Sequence, residues 1–258
     1  ALLYMFPNGQ FCGDVDYNPM WLFHHLSRRT ENNPYAREEV KSNTLSVIIP
    51  ARNEEFLGRT IDSVLDNAEC DTEVIAILDG CWANPPLKDR DKVTIIHHTK
   101  PIGQRAAVNE GARLSKSKYI MKLDGHSIVD RGFDRKLIYP YEAGELDMKT
   151  TTIPRMYNLH AFDWVCKDCG HRKYQSPTPS ECEKCKSKNV VREMVWKPRF
   201  NRMTECWMFD KDMHFQYWDK GGRRPEAKGE IVDVMSSVGA CFFMPREFFW
   251  KIDGLDEK

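Results

Sequence analysis

The stretch "LSVIIPARNEEFLGRTIDSVL", Leu45 to Leu65, decides how the chain is read. Residues 45–50 are a continuous apolar run, the pattern of a strand buried on both faces. From Leu57 the spacing changes. Leu57, Ile61, Val64 and Leu65 fall on one face of a helix expected over 57–68. Between the two lie Arg52, Asn53 and Glu54, polar residues at the strand's carboxyl end.

The pattern recurs downstream. "EVIAIL" (73–78), "KVTIIHH" (92–98) and "YIMKL" (119–123) read as strands, and the Ala-rich 103–117 reads as a helix. Apolar strands alternating with helices predict an α/β fold with a mostly parallel sheet. Apolar strand character returns over 230–245, followed by a short helix over 246–252. Residues 1–43, with Pro7, Pro19 and Pro34, read as an ordered arm and not as a domain of their own.

Composition narrows the partners. Lys plus Arg equals Asp plus Glu at 38 each, so no global charge favours nucleic acid or an anionic membrane. No apolar run approaches the roughly 20 residues of a membrane helix. "ALLYMF" at the start is short for a signal-peptide core and lacks a basic flank. Nine cysteines, an odd number with four in Cys-x-x-Cys pairs, argue for a reducing compartment. The expectation is a cytoplasmic protein, in a host's cytoplasm if its source is viral, with no membrane partner.

In an open parallel sheet, ligands bind beyond the carboxyl ends of the strands. Three of those ends are polar here: Pro50 to Glu54, Asp79-Gly80, and Asp124-Gly125-His126. Asp124 and His126 are two apart, so in extended chain they share a face. A carboxylate beside a neutral imidazole suits Mn2+ or Mg2+, and such a cation would stabilise a leaving diphosphate. The plainer reading of Asp-Gly-His is a turn after a strand, since Asp and Gly are turn formers.

These residues carry a resemblance. "LSVIIPARNEEFLGRTIDSVL" resembles the first strand and helix of the family 2 glycosyltransferases of the GT-A fold, a Rossmann-like sheet. "YIMKLDGH" stands where that family has its Asp-x-Asp metal motif, with His126 in place of the second Asp. That variant, like "NEEFLGRTIDSV", is similar to the polypeptide GalNAc-transferases. The resemblance covers about 45–130, and again about 235–257. It implies nucleotide-sugar contacts at Pro50, Arg52, Glu54, Asp79, Arg105 and Asp124, and a metal at Asp124 and His126. Arg105 stands near Val108, where the family often has an Arg; its other reading is a surface helix residue. Glu54 could equally be a helix-start carboxylate. By resemblance, Ser237 to Cys241 fall on the acceptor side. The family's acid–base motif would follow beyond Lys258, so no general base is assigned; Asp256 and Glu257 are candidates by position only.

A second constellation is "CKDCGHRKYQSPTPSECEKC". Cys166 and Cys169 form one knuckle, Cys182 and Cys185 another. Two such pairs across a polar loop match a closed, structural Zn2+ site and resemble a zinc ribbon. An iron–sulfur site and a redox dithiol are the alternatives. The expected organisation is therefore an arm (1–43), a nucleotide-sugar-binding core (44–159), a zinc-ribbon insertion (160–195) and an acceptor-side part (196–258).

Residues 166–228 hold 15 Lys/Arg against 9 Asp/Glu, a surplus of six that four zinc-bound thiolates would cut to about four. The functional expectation is a metal-dependent nucleotide-sugar glycosyltransferase. The surplus, with Arg199, Arg202, Arg223 and Arg224, suggests DNA as acceptor, through a hydroxylated base as in viral DNA. A protein or polysaccharide acceptor is the alternative, as is a binding module without turnover.

Overall fold

The computed structural model describes residues 44–257 apart from 89, 204–206, 219, 222–230, 235, 237 and 238, with the backbone alone of 200–203. The arm expected over 1–43 lies outside the described residues. The first half of the described chain runs β1 (Leu45–Ala51), α1 (Leu57–Asn67), β2 (Thr72–Asp79), β3 (Val93–His98), α2 (Gln104–Leu114), β4 (Tyr119–Leu123) and α3 (Phe133–Glu142). There follow β5 (Tyr157–Cys166), β6 (Arg172–Tyr174), β7 (Val190–Met203), β8 (Trp207–Phe209), β9 (Phe215–Tyr217), β10 (Cys241–Pro245) and α4 (Arg246–Lys251).

The central sheet has five strands in the order β10-β4-β1-β2-β3. β1 pairs in parallel with β2 and β4, and β2 with β3. β10 runs antiparallel to β4, so the sheet is mostly parallel, as the sequence predicts. All seven residues of β1 are buried, which is why its pattern is continuous and not alternating. One face buries Val47, Ile49, Val74 and Leu78 with Leu57, Ile61 and Val64 of α1. The other buries Ile48 and Ile120 with Val108 of α2 and Phe249 of α4. Gly111 lets α2 come this close, since a Cβ there would stand 2.5 Å from Ile48 Cγ2.

Strand character over 230–245 is narrower than expected. Among the described residues only Cys241–Pro245 pairs into the central sheet. The helix α3 is additional. Pro140 sits in its last turn, and a proline normally argues against a helix interior. Asp134 in its first turn is fully buried and accepts from the backbone N–H of Glu69 and Cys70, from the Thr72 hydroxyl and from its own neighbour Arg135. It thereby ties α3 to the turn that carries α1 into β2. No described helix is long and apolar enough to cross a membrane.

A second sheet, β6-β5-β7, is antiparallel and carries the cysteine pairs. It overruns the expected 160–195, starting at Tyr157 and ending at Met203. None of its residues belongs to the buried clusters of the core.

Asp134 generates the first prediction. Burial alone would raise its pKa, but the hydrogen bonds from Glu69, Cys70, Thr72 and Arg135 outweigh that and hold it below the ordinary aspartate value. Its stabilising contribution is therefore full above the unfolded value, about 3.9, and is lost as pH falls through the lower folded value. Asp134→Asn should cost about 3 kcal/mol in urea unfolding at pH 7, with the gap to wild type closing under strong acid.

Candidate functional site

The carboxyl end of β4 is where the sheet becomes polar. Lys122, inside the apolar run "YIMKL", is 3% exposed. A buried ammonium needs partners. Lys122 Nζ finds the Asp124 carboxylate, the Gly239 carbonyl and, at 3.4 Å, the Ala240 carbonyl. The backbone N–H of Asp124 donates to Ala240 O at 3.0 Å. One cation thus fixes Asp124 and joins the end of β4 to the loop entering β10. Nothing in the sequence reading pointed to Lys122; a charge inside an apolar strand was the available signal.

The turn after β4 is held from below by α1. Thr60, fully buried, donates its hydroxyl toward Gly125 O (2.8 Å) and Ser127 O (3.0 Å) and accepts from Ser127 N–H (2.9 Å). Ser63 Oγ accepts from Val129 N–H at 3.0 Å. These hydroxyls explain why "GRTIDSV" carries Thr and Ser on a buried helix face.

From above, Glu54 leans over the same turn. A Cβ on Gly125 would stand 3.1 Å from Glu54 Cγ, so a larger residue there would push the Glu54 side chain aside. The Glu54 oxygens lie 3.2 and 3.1 Å from His126 Nδ1. With the carboxylate accepting, the ring proton sits on Nδ1 and the Nε2 lone pair is left for a ligand. A carboxylate behind a histidine is the usual support of a metal-binding imidazole. The imidazole nitrogen and, two residues away, the Asp124 carboxylate held by Lys122 are donor types that a hard divalent cation takes alongside water and phosphate oxygens.

The other expected residues are placed as follows. Pro50 is buried within β1 opposite Ile77, and Arg52 is exposed just past it. Asp79 is buried at the end of β2. Its carboxylate accepts from Ile102 N–H (2.6 Å) and Gly103 N–H (3.1 Å), which sets the loop leading into α2. Arg105 is exposed in the first turn of α2. Val108 is a core residue. Glu257 is bound by Asn109 Nδ2 (2.7 Å) and Arg113 (3.2 Å). The Asn109 bond first, then Arg113, lowers its pKa, which makes it a weak general base.

The four cysteines come together. Cys166 and Cys185 sulfurs are 3.5 Å apart, Cys169 and Cys182 sulfurs 3.7 Å, and all four lie within 4.8 Å of one another. A tetrahedron of Zn–S bonds of about 2.3 Å requires sulfurs about 3.8 Å apart. Backbone N–H groups of Cys185 and then Lys184 bring the Cys182 thiol down to about 6. At Cys185 the Ser187 N–H is outweighed by the crowding of Cys169 and Cys166, which pushes that thiol up to about 12. A first thiolate therefore forms at Cys182, and a cation is needed to hold the rest. Asp210, Asp212 and His214 also converge, in the exposed hairpin of β8 and β9.

The cysteine-bearing sheet is moored beside the site. Arg192 of β7 pairs with Glu55, with one N–O distance of 2.9 Å. Trp196 packs on Phe56 at 5.2 Å between ring centroids, and Arg59 lies 5.7 Å from the Trp196 ring. Many of the basic residues behind the expected surplus are engaged within the protein. Lys167 and Arg172 bind Glu193, Lys173 binds Glu183, Lys186 binds Glu181, and Arg199 lies 4.5 Å over the Tyr174 ring. The side chain of Arg202 and all of Arg223 and Arg224 lie outside the described residues, as do 237 and 238.

Comparison with known proteins gives one family. Residues 46–252 match glycosyl transferase family 2. No curated protein matches the chain. Among solved structures, part of the chain is similar to the mannosyltransferase PcManGT from Pyrobaculum calidifontis, in complex with GDP-Man and Mn2+. The identity is 17%, the TM-score 0.30, and the match covers 43% of this chain. It spans 36% of that protein's chain, about a third of its length.

Lys122 carries the second prediction. Lys122→Met strands the Asp124 carboxylate beside the sheet. That carboxylate keeps 24% exposure, so the cost falls below the 3–5 kcal/mol or so of a fully buried pair. About 2 kcal/mol is expected in urea unfolding. Lys122→Met with Asp124→Asn should recover part of it, because the pair is then removed together.

Proposed function

The chain belongs to glycosyl transferase family 2, and from that premise we propose that it moves a sugar from a nucleotide-sugar to an acceptor hydroxyl at the Asp124–His126 turn. The observation that carries this is the Glu54–His126 pair, which readies an imidazole nitrogen two residues from the fixed Asp124 carboxylate at a strand's carboxyl end. Asp124 and His126 would hold Mn2+ or Mg2+, which when bound neutralises charge on the departing diphosphate. Glu54 orients His126 and so acts on the donor indirectly. Asp79 shapes the loop before α2, and Pro50, Arg52 and Arg105 stand around the nucleotide.

The reaction closes as a substitution at the anomeric carbon. The acceptor oxygen forms the new bond there, and the bond to the diphosphate oxygen breaks with its electron pair. The hydroxyl proton passes to a base. Thr60, Ser63 and Lys122 keep the donor turn rigid while this happens, which limits the reorganisation needed in the transition state.

The core over 44–159 would carry the donor, and 196–258 the acceptor side. The four cysteines, Cys166, Cys169, Cys182 and Cys185, would hold one structural zinc. A hydroxylated DNA base as acceptor draws support only from the basic surplus of 166–228, much of which is paired internally.

Two experiments test this. With MnCl2 and a panel of UDP- and GDP-sugars, the full chain should slowly release nucleoside diphosphate. Asp124→Asn and His126→Ala should each lower that rate on the order of 100-fold. A wild-type rate indifferent to EDTA would remove the cation from the scheme. An absence of release or transfer with every donor would remove the activity.

The second experiment concerns the cysteines. Elemental analysis should find zinc equimolar with the chain, and Cys182→Ser should lose it. Without zinc, amide exchange protection should vanish over β5–β7 and persist over β1, β2 and β4, because the core clusters share no residue with the module. Iron in place of zinc, or global loss of protection, would count against the assignment.

A further inference from the structure

Between the donor turn and the cysteine-bearing sheet lies an open cleft of about 750 Å³. One wall is the β1–α1 loop, with Glu54, and His126. The other is built by β5 and the end of β6, with Asn158, Phe162, Tyr174 and Gln175. The geometry points to this cleft as the acceptor site, its occupant a neutral saccharide, and to the cysteine module as the element that recognises it. The inference rests on the glycosyl-transfer reading for its chemistry and on the cleft itself for its ligand.

Position is the first argument. Glu54 and His126 belong to both the cleft and the donor turn, so a ligand held there lies next to the Asp124–His126 end. The module is tied beside this opening. Arg192, through Glu55, and Trp196, through Phe56, fasten it to the residues that follow Glu54.

Chemistry is the second. The lining itself includes no Lys or Arg and carries the Glu54 carboxylate; Arg192, behind it, is neutralised by Glu55, and Arg199 lies over the Tyr174 ring. A phosphate backbone is bound through basic side chains and is repelled by carboxylates, so a polyanion is disfavoured here. The lining instead combines aromatic faces with neutral polar groups. Phe162 and Tyr174, each with a guanidinium over one ring face (Arg192 at 5.0 Å, Arg199 at 4.5 Å), have the opposite face for the C–H face of a sugar.

The polar groups are not all equal. Gln175 is committed to the sheet, accepting from Ala161 N–H (2.8 Å) and donating to Leu159 O (3.2 Å). Among the described residues, the Asn158 side-chain amide and the Tyr174 hydroxyl have no hydrogen-bond partner. The amide can both donate and accept, as can the hydroxyl, which is what a ring of hydroxyl groups requires. The volume falls within the range of about 300–1,000 Å³ common to small-molecule sites. Tyr174 is itself braced, with the His160 ring edge at 4.8 Å and Arg199 at 4.5 Å, so its ring is presented rigidly.

The test measures saccharide binding separately from donor turnover. The full zinc-loaded chain is titrated by ligand-observed NMR with maltotriose, cellotriose, chitotriose and mannotriose. At least one should bind, and the same one should raise nucleoside diphosphate release in the presence of donor. Asn158→Ala and Tyr174→Ala should each weaken that binding about 10-fold, the loss expected from one hydrogen bond or ring contact. Tyr174→Phe, which keeps the ring, should lose less than Tyr174→Ala. Zinc content of each variant reports that the module is folded. Saccharide binding without any donor turnover would fail the glycosyl-transfer reading and leave the cleft assignment standing. Donor turnover with no saccharide bound, or with saccharide affinity unmoved in the variants, overturns the assignment. So does acceleration by hydroxymethylated DNA alone.

Discussion

A single buried ammonium organises this protein. Lys122 stands in a strand flanked on both sides by others, where water does not reach it. Its charge can be tolerated only if carboxylate and carbonyl groups are brought to it. Those groups are Asp124 and the carbonyls of Gly239 and Ala240. Satisfying one cation therefore fixes the Asp124–His126 turn and the return of the chain into β10 in the same stroke. The antiparallel edge strand closes the sheet at the place where the site opens.

Around that cation, the site is assembled from residues whose neighbours in sequence do other work. Thr60 and Ser63 face the turn from a helix that otherwise buries Leu57, Ile61 and Val64 in the core. Glu54 occupies the space that Gly125 leaves. His126 is thus placed by the Glu54 carboxylate and by the Thr60 hydroxyl on its two neighbours, both far from it in the chain, with the adjacent Gly125 leaving room. Rigidity of this kind lets a polar turn at the end of a strand hold its shape before any ligand arrives.

Much of the architecture was legible in the sequence. The runs at 45–50, 73–78 and 119–123 are apolar throughout because both faces of their strands are covered, and that pattern has few other readings. The paired cysteines were legible for a different reason: four thiolates at that spacing converge on one point. What escaped has physical causes too. Pro140 masks α3. β7 alternates apolar with charged residues past 195, so its end was assigned with the acceptor-side part and not with the insertion. Glu54 reads as a helix-start carboxylate until the fold brings His126 against it. The basic surplus was real as a count, but counting cannot see that Glu181, Glu183 and Glu193 lie opposite several of those charges.

The loop from Glu54 to Phe56 hands three consecutive side chains to three different tasks. Glu54 meets His126, Glu55 meets Arg192 and Phe56 meets Trp196. Adding or removing one residue there would shift every assignment at once, offering an aromatic ring to the Arg192 guanidinium in one direction or a carboxylate to the Trp196 indole in the other. Variation among descendants of this chain should accordingly follow an uneven pattern. Length changes between the cysteine knuckles are expected only beyond Ser176 and before Cys182, because the stretch from β6 through Ser176 is bound to β5. The count of residues from Pro50 to Leu57 should likewise vary little. Substitutions in that short span would be accepted only where each keeps the character its own partner demands.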